Sequence, residues 1–154
     1  MRKNGGFTIV ELLIAITIIG ILMAVASPNF LAWRAKSKLI GTSHNIRGDL
    51  EKARLKAIRE NARVAVVFTA SGYSIFIDNG AKADNWKREA DETLVRNRQM
   101  VPGITIDLAA TTFAKDRTRF NGRGLPGVIG RVVIVGSAGT RQIVMNRLGR
   151  LRVQ

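Results

Sequence analysis

The chain has 154 residues, room for one globular domain of about 100–150 residues with a terminal segment, and too few for a two-domain enzyme. It contains no cysteine, which excludes disulfides and thiolate metal sites. The formal net charge of +14 is concentrated in two blocks, +6 over residues 34–63 and +8 over residues 115–154; such blocks attract polyanions, whether nucleic acid, anionic lipid or acidic proteins.

After Met1-Arg2-Lys3-Asn4-Gly5-Gly6, the stretch Phe7 to Ala26 is apolar apart from Thr8, Glu11 and Thr17. As a helix its length reaches roughly 30 Å at about 1.5 Å per residue, so it is expected to cross a bilayer. Ala24-Val25-Ala26 also offers the small-residue pattern of an ordinary secretory cleavage site, but the apolar run is long and carries a carboxylate near its start. Insertion of an acidic group at the bilayer centre costs about 2.5–3.5 kcal/mol, which marks Glu11 as functional unless it lies at the hydrated interface. Arg2 and Lys3 on one flank and Arg34, Lys36 and Lys38 on the other do not orient the segment by charge alone.

Gly6-Phe7-Thr8-Ile9-Val10-Glu11-Leu12-Leu13-Ile14-Ala15 resembles the leader junction and N-terminal segment of type IV prepilins. The resemblance implies that a prepilin peptidase cuts between Gly6 and Phe7 and that the new amine of Phe7 is N-methylated. Glu11 becomes the fifth residue of the mature chain, and Pro28 falls where such pilins kink the helix. Residues after about 30 are then expected outside the cytoplasm. A buried carboxylate is tolerable when paired, so Glu11 of one subunit is expected to meet the Phe7 ammonium of a neighbour during filament assembly.

Residues 29–62 read as a continuation of the helix, with Leu39, Ile46, Leu50, Ala53 and Ala57 on one face. Lys52, Lys56, Arg59 and Arg63 fall on another, and Lys56 is placed to pair with Glu60. That cationic face reads either as solvated or as a contact for nucleic acid or phospholipid. Gly41 and Gly48 weigh against continuity, at roughly 1 kcal/mol each relative to Ala. His44, the single histidine, has only Asp49 and Glu51 nearby in sequence, an unsuitable set for a metal, and without a nucleophile it does not suggest a hydrolase.

Val64–Ala70 and Tyr73–Asp78 are strand-like runs split by Ser71-Gly72, which predicts a hairpin ending at Asp78-Asn79-Gly80. Ala81–Asp91 reads as an exposed loop, with Trp86 as its anchor or as a contact for a partner. Thr93–Met100 and Ile104–Leu108, separated by Pro102-Gly103, are expected to pair with each other. Arg131–Gly136 and Thr140–Asn146 predict a further pair, joined near Ser137-Ala138-Gly139, before a short run at Arg150–Val153. The expected class is α+β, a long N-terminal helix packed on one or two antiparallel sheets.

Gly122-Arg123-Gly124-Leu125-Pro126-Gly127 matches the dinucleotide fingerprint formally, but it lacks the strand before and the helix after. It reads as a tight loop, and no cofactor is expected. No acid/base pair, nucleophile or phosphate loop suggests an enzyme. The last forty residues instead contain Lys115, Arg117, Arg119, Arg123, Arg131, Arg141, Arg147, Arg150 and Arg152 against Asp116 alone. Arginine presents a planar fork suited to phosphate. Arg117 with Arg119, and Arg150 with Arg152, are spaced to point to one side of a strand while Leu151 and Val153 face inward. These arginines either solubilise the domain and pair with acidic neighbours, or bind a nucleic-acid backbone without sequence preference.

Phe120-Asn121, the glycines that follow, and Gly149-Arg150-Leu151-Arg152-Val153 resemble the GspH/FimT family of minor pilins and pseudopilins. Gly149-Arg150-Leu151-Arg152 is similar to the G-R-x-R motif of the FimT branch, associated with DNA uptake in natural transformation. The resemblance implies a leader at 1–6, a transmembrane and filament-core helix at 7–30 and a soluble α+β domain at 31–154. It further implies a single-pass inner-membrane subunit with its C-terminal domain in the periplasm or outside. The expected partners are other pilins, the prepilin peptidase, the inner membrane and double-stranded DNA, the last bound by Arg117, Arg119, Arg123, Arg141, Arg147, Arg150 and Arg152. The alternative is the GspH branch, a minor pseudopilin of type II protein secretion without DNA binding.

Overall fold

The structure is a computed structural model that describes residues 7–79, 86, 88–90 and 92–154, the side chains of 25–28 excepted. The leader junction at Gly6, the kink expected of the Pro28 ring and most of the 81–91 loop lie outside the described residues. The chain divides into two compact units, residues 1–35 and 36–154.

One helix, α1, runs Ile9–Glu60. Its start is a capping box. The Thr8 amide donates to Glu11 Oε2 at 3.4 Å, and the Glu11 amide donates to Thr8 Oγ1 at 3.2 Å, satisfying two donors that the first turn leaves without helical partners. In the first unit Phe7, Ile9, Leu12, Leu13, Ile16, Ile19 and Leu22 are all exposed. Among the described residues no single helix is long and apolar enough to cross a membrane; the stretches Ile9–Ala24 and Asn29–Glu60 meet that condition only as a pair.

In the second unit α1 continues through Gly41 and Gly48, where an added methyl would meet nothing. The residues foreseen for its core face, Leu39, Ile46, Leu50, Ala53 and Ala57, are all buried. Thr42 and Ser43 are buried beside them and return their hydroxyls to the Lys38 and Ile40 carbonyls, so no polar cost remains. The helix stops at Asn61, which takes φ 47°. Ala62 N–H donates to Ala57 O and Asn61 N–H to Ile58 O, the paired bonds of a Schellman ending.

Two four-stranded antiparallel sheets complete this unit. The strands are β1 Val64–Thr69, β2 Gly72–Ile77, β3 Leu94–Gln99, β4 Ile104–Asp107, β5 Arg117–Phe120, β6 Gly130–Gly136, β7 Gly139–Met145 and β8 Leu151–Val153. The first sheet has the order β3-β2-β1-β5 and the second β4-β6-β7-β8. Alternate residues from both sheets, among them Val64, Val66, Ile75, Phe120, Ile134 and Ile143, join the helix face in one core. The β1–β2 and β6–β7 hairpins form where the sequence predicts them. The first hairpin turns at Ala70-Ser71, because Gly72 already pairs with Thr69. An added Cβ at Gly72 would lie 2.3 Å from the Arg98 carbonyl, so glycine here permits the close approach of β3.

The expected pairing of 93–100 with 104–108 does not form. β3 adds to β2 and β4 to β6, so the Pro102-Gly103 turn carries the chain from one sheet to the other. The reason is apolar content. Ile104 and Ile106 are buried in the core, whereas Leu94 is exposed and only Val95 of β3 packs against it. The two runs therefore serve as edges of different sheets.

Candidate nucleic-acid interface

An open groove of about 1120 Å³ lies between α1 and the β7–β8 edge of the second sheet. Helical periodicity places Arg47, Glu51, Arg54, Leu55 and Ile58 along one wall, and Arg141, Arg150 and Arg152 stand on the other. Five arginines thus meet one acidic side chain among the described lining residues, that of Glu51, which accepts from Arg47 Nε at 3.0 Å. Leu151 is buried and Val153 half-buried, while Arg150 and Arg152 are exposed. That is the alternation expected of a terminal strand with one wet face.

The two glycine-containing loops beside the groove share one conformation. In Asn121–Leu125, the Asn121 side-chain oxygen accepts from the Arg123 and Leu125 amides. Gly124 N–H donates to Asn121 O, and Asn121 N–H to Leu125 O. In Asn146–Arg150, the Asn146 side-chain oxygen accepts from the Leu148 and Arg150 amides, Gly149 N–H donates to Asn146 O and Asn146 N–H to Arg150 O. Gly124 and Gly149 take φ of 73° and 74°, a backbone region that costs an L-residue about 1–2 kcal/mol. Arg54 of α1 joins the two turns, its Nε donating to Gly124 O at 2.9 Å and its Nη1 to Gly149 O at 3.3 Å. The glycines at 122 and 124 of the fingerprint-like run therefore sit in a side-chain-closed turn, flanked by an isolated bridge between Phe120 and Pro126.

Of the seven arginines expected to contact DNA, Arg141, Arg150 and Arg152 line the groove, and Arg123 and Arg147 are exposed on the twin turns. Arg117 and Arg119 are not among its lining residues. They share a face of β5, in the first sheet, with their guanidinium carbons 4.6 and 4.9 Å from the Trp86 ring centroid, so Trp86 is held against the domain by cation–π contact. Lys56 pairs with Glu60 at 2.5 Å as expected. Arg47 and Arg54, seven apart on α1, were not singled out in the sequence; their common face with Leu55 and Ile58 is the signal that identifies them.

Two acidic centres support these surfaces. The buried Asp49 carboxylate of α1 accepts from Tyr73 of β2 and from Arg98 Nε of β3 at 2.9 Å, with Arg96 and Lys52 at its other oxygen. Burial, reinforced by the Asp49 hydrogen bond, pushes the Tyr73 phenol far above its ordinary range. At the end of β2, burial raises the Asp78 carboxyl, and the nearby Glu92 charge adds to the effect while Arg119 and Arg63 oppose it. In the first unit Phe7 is 85% exposed and Glu11 is engaged with Thr8.

Comparison with known proteins agrees with this architecture. The family described as Type II transport protein GspH matches residues 42–149, more than half of the chain. The Prokaryotic N-terminal methylation motif matches residues 1–27. The chain is 29% identical over 158 residues to "Pilin-like protein PilA1" of Thermus thermophilus, covering 97% of both. It is 47% identical over 45 residues to "Type IV major pilin protein PilA" of Myxococcus xanthus, covering 29% of this chain and 20% of that one. The crystal structure of the type IV minor pilin FimU of Pseudomonas aeruginosa shares the fold, with a TM-score of 0.58 at 15% identity over 79% of this chain and 92% of FimU. A second crystal form gives a TM-score of 0.56 at 16% identity.

Proposed function

We propose, from the premise that this chain belongs to the GspH family of type IV pilin-like subunits, that it is a minor pilin whose α1–β8 groove binds double-stranded DNA without sequence preference for uptake into the cell. The observation that carries the reading is the convergence of Arg47, Arg141, Arg150 and Arg152 on one groove, where Glu51 is the only acidic side chain among the described lining residues and the Arg54 guanidinium is turned to the Gly124 and Gly149 carbonyls. Arginine from a helix and from a strand edge converges there, and its planar fork suits the oxygens of a phosphate backbone. Among the described residues no Phe, Tyr or Trp lines the groove and His44 supplies its one ring, so binding is directed chiefly at the backbone and governed by counterion release.

In the same reading the prepilin peptidase removes residues 1–6, Phe7 is N-methylated and Glu11 meets the Phe7 ammonium of a neighbouring subunit. Residues 7–30 form the inner-membrane and filament-core helix, kinked at Pro28, and residues 31–154 lie in the periplasm or outside. Membership of a family described by type II transport favours the second reading, a pseudopilin of protein secretion in which the arginines meet acidic partner subunits.

Duplex binding by the full-length protein in detergent, followed across salt concentrations, decides between them. If about four phosphates are neutralised, log affinity falls against log salt with a slope near −3.6. Arg150→Ala/Arg152→Ala is expected to flatten the slope and weaken binding, while Arg117→Gln/Arg119→Gln leaves both nearly unchanged. No binding at low salt overturns DNA uptake in favour of secretion.

A further inference from the structure

The twin turns beside the groove raise the question of what holds them together. Each turn is closed by its own asparagine, yet the two are far apart in sequence, and neither strand register nor backbone pairing links Asn121–Leu125 to Asn146–Arg150 directly. The link is Arg54, whose guanidinium reaches Gly124 O and Gly149 O at once. The approach is tight. An added Cβ at Gly149 would lie 3.0 Å from Gly124 O and 3.2 Å from Arg54 Nε.

We propose, resting on the DNA-binding reading above, that Arg54 is a positioning residue: it locks the two turns side by side, so that Arg123, Arg147 and Arg150 meet a phosphate backbone as one preformed unit. Arginines on independently moving loops lose conformational freedom when they bind, and that loss subtracts from affinity. Turns fixed to one helical side chain have already lost it. A lysine at position 54 keeps the charge but replaces a planar two-pronged donor with a point charge on a flexible stem. Positive charge and turn alignment are thereby separable by substitution.

The test uses the full-length protein in detergent, a short duplex, and a salt series on wild type, Arg54→Lys and Arg54→Gln. Both variants are expected to bind about tenfold more weakly, the scale of one lost charged hydrogen bond, with the wild-type salt slope retained because no phosphate contact is removed. Amide exchange at Gly124 and Gly149 is expected to quicken together in both variants while that of Ile143 in β7 stays slow, which shows that the domain remains folded. A direct phosphate contact gives a different pattern and overturns the proposal: Arg54→Lys binds like wild type, and Arg54→Gln loses about 0.9 of slope. Unchanged exchange at both glycines also overturns it, whatever the DNA result. Wild type that does not bind DNA, with exchange at the two glycines still quickened in the variants, refutes the uptake reading and with it the purpose assigned to the clamp.

Discussion

Tyr73 donates its hydroxyl to Asp49 Oδ2 at 2.7 Å, fastening α1 to β2 from inside the domain. Arg98 Nε reaches the same oxygen from β3, so one carboxylate holds a helix and two strands. Tyr73→Phe is expected to lower stability by about 1–3 kcal/mol, since it withdraws a hydrogen bond from a buried acceptor. Asp49→Ala removes the shared partner. Breaking a buried ion pair costs about 3–5 kcal/mol, but the Arg96 and Arg98 side chains are 41% and 34% exposed and regain water, so the low end of that range is expected. Urea denaturation of the full-length protein in detergent measures both.

Tyr73 is the chain's only tyrosine, so its phenolate absorbance is free of overlap. Its folded pKa lies above the ordinary value of 10.0. The folded state therefore holds the proton after the unfolded state has begun to release it, and stability falls as pH rises past about 10. Phenolate absorbance in alkali is expected to track unfolding instead of an ordinary titration near pH 10, and the stability advantage of wild type over Tyr73→Phe should shrink over the same range. A reversible phenolate signal near pH 10 with the fold intact would refute this.

Gly149→Ala tests the second turn. The substitution forces alanine into a left-handed backbone and brings its methyl within 3.0 Å of the Gly124 carbonyl, a backbone atom that cannot swing aside. A loss of about 1–2 kcal/mol follows from the backbone conformation alone. At Gly124 the nearest atom is instead the end of the exposed Ile58 side chain, at 2.6 Å, which can rotate. Gly124→Ala is therefore expected to be the milder change in thermal or chemical denaturation.

The capping box gives Glu11 a role within its own subunit, and Glu11→Gln separates that role from assembly. Glutamine serves in a capping box as glutamate does, so helix content in detergent should change little. Its lack of charge removes the pairing with a neighbour's ammonium, and filament incorporation, measured by co-sedimentation with the other pilins, should fall several-fold, on the scale of a lost charged hydrogen bond. Normal incorporation of Glu11→Gln would leave capping as the residue's whole function.

The helix, its core face and the two hairpins were legible because each rests on apolar periodicity that packing only reinforces. Leu39 to Ala57 repeats on a helical face, and Val64–Thr69 and Gly130–Gly136 are rich in β-branched residues. β5 was harder to see. In Arg117-Thr118-Arg119-Phe120 the buried positions are Thr118 and Phe120, so its alternation is half polar on the inner face and reads as a charge cluster. The β3–β4 pairing failed for a different reason: a turn signal says where the chain reverses but not which sheet receives each side. Arg150 and Arg152 were visible from their spacing, whereas Arg54 was not, because its importance lies in two carbonyls that only folding brings together. A recurrence of Asn-x-x-Gly at 121–124 and 146–149 was the available clue.

The outer edge of β8 also limits how copies of this chain can join. The strand is three residues long and is the last in its sheet, with Arg150 before it and Arg152 within it. Two molecules that zipped together through these edges would crowd identical guanidinium groups against one another, a repulsion that discourages open-ended sheet growth. Polymerisation through this edge is disfavoured, which leaves longitudinal order to surfaces other than the basic one.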